Sequence, residues 1–174
     1  MSFTPADIDI RSASCTITNR VAFLHQLRDI ASDNDTHIIC FNADILAGRV
    51  HAATAVRLAS RAFDEGTNIS NTLEMEALLY AAGSRQCNVA ASFGIREGEN
   101  HLWVCCIPAT DNCWSALRQL VQFNGQDLDL IDEEKQTRLM EIFSISKEEL
   151  EAAGGPGRIT DLVLERVALL QVVR

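Results

Sequence analysis

The sequence predicts an α+β (mixed α/β) fold: one domain with a small central sheet covered by several helices. Three observations carry this. Short runs rich in β-branched and apolar residues, around Cys15, Ile39 and Val104, read as strands. The longer segments between and after them repeat apolar residues at helical spacing behind capping residues. Finally, 174 residues with 47% hydrophobic and only three prolines suffice for one buried core without a metal or disulfide. The domain is read as residues 1–174, with a glycine-rich hinge at 154–157 before a C-terminal helix.

The elements follow in order. Met1 to Ala6 is expected to be loose. In Asp7 to Thr18, Ala13, Cys15 and Ile17 alternate with polar neighbours, as in a strand with one half-buried face. Thr18 or Asn19 caps a helix through Val21, Leu24, Leu27 and Ala31, which ends in the turn Ser32-Asp-Asn-Asp35. Thr36 to Phe41, short and β-branched, reads as a central strand. From Ile45 to Phe63 the pattern is helical, with Ile45, Ala52, Val56, Ala59 and Phe63 on one face, Arg57 and Arg61 on another, and Gly66 as the stop.

Asn71 with Glu74 predicts a capping box for a helix that Gly83 ends. Ser84 then caps a second helix, with Arg85 and Gln86 in its first turn and Gly94 as its stop, a start suited to an anion. His101 to Ile107 is apolar on both sides, an interior strand stopped by Pro108. Asp111 caps a helix through Trp114, Leu117 and Phe123, closed by Asn124-Gly125. Asp127 to Ile131 is either an edge strand or the approach to the next helix. Asp132 caps Glu133 to Phe143, and Ser146 with Glu149 makes a further capping box.

The last helix, Ile159 to Val173, is apolar nearly all round. Ile159, Leu162, Val163, Val167, Leu170 and Val173 form one arc, while Leu164, Ala168, Leu169 and Val172 fall outside it. Such a helix is either threaded through the domain or covered on its outer face by another protein.

Charge and motifs bound the chemistry. The formal charge of −9 excludes a long-range field that attracts nucleic acid, so any RNA contact is local. Two stretches hold no acid: Ile45 to Phe63, with Arg49, Arg57 and Arg61, and Ala77 to Ile95, with Arg85. No signal peptide or membrane-spanning run is recognised, which predicts a soluble intracellular protein. The four histidines show no metal-ligand spacing, and the six cysteines no C-x-x-C pair; the cysteines read as small apolar residues. Cys87, in the first turn of its helix, is the one candidate thiol nucleophile, without an evident base. Glu74 reads as a cap and Glu76 as a solvated or helix-bonding carboxylate. Phosphate loops, nucleophile elbows and dinucleotide fingerprints are missing, so neither a catalytic residue nor a cofactor is assigned.

Glu76-Ala-Leu-Leu-Tyr80, Gly83-Ser-Arg-Gln86, Phe93-Gly-Ile95 and Glu165-Arg-Val-Ala-Leu-Leu170, together with Phe41-Asn-Ala43, give the chain a resemblance. In their order and number they resemble the small regulatory subunit of the KEOPS complex, which helps attach threonylcarbamoyl to an adenosine of tRNA. That family more often has a serine where Ala82 stands and an acid where Gln171 stands. The resemblance implies a non-catalytic subunit that binds the small atypical kinase/ATPase of KEOPS and the 3′ CCA end of tRNA, in the cytoplasm or, in a eukaryote, also the nucleus. It favours a partner on the outer face of the last helix, with Leu164, Leu169 and Val172 as candidates. Ser84, Arg85 and Gln86 with Arg57 and Arg61 are the RNA candidates, if the fold gathers them. The competing readings are an independent thiol-dependent transferase using Cys87 and a ligand-binding module.

Overall fold

The computed structural model describes residues 3–172. Strands β1 (Asp9–Ile17), β2 (His37–Asn42) and β3 (Gly98–Ile107) form one antiparallel sheet in the order β1-β3-β2. β3, the middle strand, is apolar on both faces. Trp103, Cys105 and Ile107 enter one core, and Leu102, Val104 and Cys106 the other. The segment Thr36 to Phe41, expected to be central, is instead an edge strand. Its composition reports two covered faces, since the cores of both sides receive its side chains, but says nothing about its edges.

One face of the sheet is covered by α1 (Arg20–Asp33) and α5 (Asp111–Leu117), which bury Phe23, Leu27, Cys113, Trp114 and Leu117. Val21, placed on the apolar stripe of α1 by its spacing, is 63% exposed; Phe23 takes its place. The other, larger core holds α2 (Arg49–Asp64), α3 (Leu73–Ala82), α6 (Glu133–Ile142), α7 (Lys147–Ala153) and α8 (Ile159–Leu169). α4 (Cys87–Ala91) is a short turn of helix beside α3.

Several boundaries differ from the expected ones because a neighbouring hydroxyl made the better cap. Thr72, not Asn71, accepts from the Met75 N–H to start α3, and Thr110, not Asp111, accepts from Cys113 to start α5. Asn19, Asp132 and Ser146 cap as expected. Gly83 ends α3 at φ 59. α5 stops at Leu117 rather than Phe123, because Gln122 exchanges two 2.9 Å backbone hydrogen bonds with Ser14 on the outer edge of β1. Ala43–Ile45 is a separate 3-10 turn, so α2 begins only at Arg49. Asp127 to Ile131 is an irregular approach to α6. The N-terminus is not loose from Phe3 on: Thr4 and Asp7 cap the 3-10 turn Pro5–Asp7, and Phe3 packs edge-on against His37. Met1 lies outside the described residues.

Candidate functional site

Two surfaces carry the side chains singled out by the sequence. On α8, Ile159, Leu162, Val163, Val167 and Leu170 are buried. Leu164 is half-buried, while Leu169 is 52% and Val172 78% exposed, so α8 is not threaded through the domain. Val173, the last member of the expected arc, lies outside the described residues. A bidentate ion pair holds the helix: Arg166 Nη1 and Nη2 donate to Glu149 Oε1 and Oε2 at 2.6 and 2.7 Å, and Arg166 Nε donates to Phe143 O at 3.2 Å. The hydrogen bond from Arg166 holds the Glu149 carboxyl below its ordinary range. Glu149, expected to complete a capping box with its side chain, thus ties α7 to α8.

The second surface is a cleft of about 440 Å³ between α2 and the N-terminal segment. Arg49, Arg57 and Arg61 line it together with Phe3, Pro5 and Ile8, and Asp64 lies at its end. The three guanidinium groups share a face because the positions 49, 53, 57 and 61 step by four along one helix. Arg49 Nε is held by Ile10 O at 3.0 Å and Arg61 Nε by Glu65 at 2.8 Å; Arg57 is exposed. Sequence reasoning placed Arg57 and Arg61 on one face but missed Arg49, although the four-residue step from 49 was visible.

Ser84, Arg85 and Gln86 do not line that cleft. They also precede α4 instead of forming its first turn: Ser84 Oγ accepts from the Gln86 N–H at 3.1 Å, and the helix begins at Cys87. A methyl at Gly83 would stand 3.2 Å from the carbonyl oxygen of Arg166, so this loop sits against α8. The five candidates therefore fall on two surfaces.

The remaining candidates resolve as follows. Cys87 is exposed, not the buried apolar residue expected. Cys40, Cys105, Cys106 and Cys113 are buried; desolvation pushes the Cys40 thiol up to about 12, which leaves no thiolate for chemistry. Glu76 is not solvated. It is fully buried, and its carboxylate accepts from the N–H groups of Ile69 and Ser70 at 2.8 to 3.1 Å, clamping the loop that leads into α3. Glu74 does not complete the expected capping box; its Oε1 meets His37 Nδ1 at 2.7 Å. Among the described residues no group of three or more His, Cys, Asp or Glu could hold a metal ion, and no helix is long and apolar enough to cross a membrane.

No curated protein matches this chain. A family described as kinase binding protein CGI-121 matches it over residues 15–171, from β1 to the turn after α8. That span takes in β2, β3, the end of β1 and every helix that builds the two cores, and on it the chain belongs to the kinase-binding CGI-121 family.

Proposed function

We propose that this chain is a non-catalytic subunit of the KEOPS tRNA threonylcarbamoyladenosine-modification assembly, and that it docks the small atypical kinase/ATPase and holds the 3′ CCA end of tRNA. The observation that carries the reading is membership of a kinase-binding family together with apolar residues left outside the core on α8. Burying a leucine is worth roughly 1.5–3 kcal/mol, so Leu169 and Val172 are surface the protein gains by covering. For the RNA end, the α2 cleft supplies Arg57 and Arg61 beside the apolar Phe3 and Ile8, the pairing of phosphate contact and base packing that a single strand uses. Contacts of this range act on a chain of charge −9 without a favourable overall field. The protein works in the cytoplasm, or also in the nucleus of a eukaryote.

Co-purification with the cognate kinase tests the first half. Leu169→Arg abolishes the complex while the domain stays folded, since Leu169 is already half in solvent; unaltered binding overturns the docking face. For the second half, tRNA lacking its CCA end binds more weakly than intact tRNA, and Arg57→Ala flattens the slope of log affinity against log salt by about 0.7. Equal binding of both RNAs refutes recognition of the end. If Arg85→Ala weakens binding and Arg57→Ala does not, the RNA site moves to the loop beside α8.

A further inference from the structure

The two outer edges of the sheet are treated differently. β1 is bridged at the middle of its edge, where Ser14 exchanges hydrogen bonds with Gln122, whereas β2 is hydrogen-bonded along its edge only at its two ends, with Gly94 near the Cys40 carbonyl. In the antiparallel register of β2 with β3, the N–H and C=O groups of alternate residues point outward. Asn42 N–H donates outward to Phe93 O at 2.7 Å and Thr36 N–H to Ala31 O at 3.0 Å, which fixes the even-numbered residues as the outward ones. Between them Ile38 and Cys40 turn both their N–H and C=O groups to the same side, and these four groups have no hydrogen-bond partner among the described residues. Leaving buried or half-buried backbone groups unpaired is costly, and a strand edge left open is a template for another chain.

The space in front of that edge is a groove of about 420 Å³. Leu24, Leu27 and Ala31 of α1 wall it on one side, and Met75 and Leu78 of α3 on the other. The two paired ends, Thr36 and Asn42, stand about 20 Å apart at 3.3 Å per residue, and a five-residue extended segment of about 17 Å fits between them. A chain laid antiparallel along β2 would send alternate side chains to the α1 wall and the α3 wall. Arg20 and Arg28 stand on the α1 lip. Glu74 on the opposite lip is already paired with His37, which leaves the net charge of the rim positive.

We infer that the β2 edge between α1 and α3 binds an extended peptide segment of a partner protein, apolar at its centre and acidic at its flanks, which adds a fourth strand to the sheet. The occupant is a peptide because the groove offers N–H and C=O pairs at strand spacing, with apolar walls on both faces. Backbone pairing supplies the affinity, the walls and the α1 arginines the selectivity. This face is distinct from the α8 face and from the α2 cleft, so the inference does not depend on either.

The probe is the peptide acetyl-Glu-Val-Leu-Val-Glu-amide, titrated into the isotopically labelled full chain. Its two valines pair with Ile38 and Cys40, and its leucine faces Met75 and Leu78. Binding is expected to slow hydrogen exchange at the amides of Ile38 and Cys40. N-methylation of either valine is expected to weaken binding at least tenfold, whereas N-methylation of the leucine, whose N–H points away from β2, changes it less than threefold. Arg28→Glu, on the exposed side of α1, is expected to weaken the acidic probe at least threefold without unfolding the domain. Absence of binding, equal loss on methylation at all three positions, or unchanged exchange at Ile38 and Cys40 would each overturn the inference. So would protection of these amides by a CCA trinucleotide and not by the peptide.

Discussion

His51 is fully buried and uses both ring nitrogens. Nδ1 accepts from the Ala47 N–H at 3.0 Å and Nε2–H donates to Ala81 O at 2.8 Å, joining the loop before α2 to the last turn of α3. Both contacts require the neutral Nε2–H tautomer. Burial, with Lys135 nearby, pulls the ring down to about 4 from an ordinary 6.5, against the opposing effect of the Ala81 carbonyl. The sign follows from which state takes the proton. Above pH 6.5 the ring is neutral folded or unfolded; below it the unfolded chain protonates first, so stability falls between pH 6.5 and 4 and then levels off. The full loss is about 3 kcal/mol at roughly 1.4 kcal/mol per pH unit. His37 acts oppositely: the hydrogen bond its Nδ1–H donates to the Glu74 carboxylate raises it, so its contribution is complete below 6.5 and fades as pH rises through the raised value. His51→Gln keeps an acceptor and a donor in place but cannot titrate. Urea unfolding of both proteins from pH 7.5 to 4 is expected to show the variant losing about 3 kcal/mol less than the wild type over this range; parallel curves would mean that His51 is not the acid-sensitive group.

At the scale of elements, α2 carries the arginine cleft, and its start depends on a residue eighty positions away. Gly48, at φ 90, offers no side chain to cap the helix. Asp129 Oδ1 instead accepts from the Arg49 N–H at 2.7 Å, and a methyl at Gly48 would stand 2.6 Å from that oxygen. The carboxylate also faces the positive end of the helix. Lys135 Nζ donates to Leu128 O and steadies the same loop. The alternation of acid and apolar residues in Asp127 to Ile131 is therefore a capping segment, neither strand nor ornament. Asp129→Ala is expected to cost about 1 kcal/mol, which lowers Tm by about 2–4 °C for a chain of this size. Asp129→Asn, which keeps the acceptor, should recover most of it. A melting temperature unchanged in Asp129→Ala would show that water caps α2 as well.

Across the whole molecule, what the sequence made legible was whatever local pattern decides. The three strands, the caps at Asn19, Asp132 and Ser146 and the stop at Gly83 follow from spacing within a few residues, whereas spacing left α8 either threaded or outward-facing. What it hid depends on partners distant in the chain: the edge position of β2, the burial of Glu76 under the loop before α3, the Asp129 cap, and the separation of Arg85 from Arg57. That separation has a consequence for function. Leu169 and Arg57 sit on different helices of one packed core and share no hydrogen bond or ion pair among the described residues, so their energetic effects should add. A double-mutant cycle with Leu169→Arg and Arg57→Ala, read as tRNA affinity of the isolated chain, is expected to close within about 0.5 kcal/mol. Arg57→Ala should leave kinase affinity unchanged, and Leu169→Arg should leave tRNA affinity unchanged. A coupling above about 1 kcal/mol would mean that kinase and tRNA meet on a shared surface, which would place the RNA at the Ser84 to Gln86 loop, where Gly83 touches the backbone of α8.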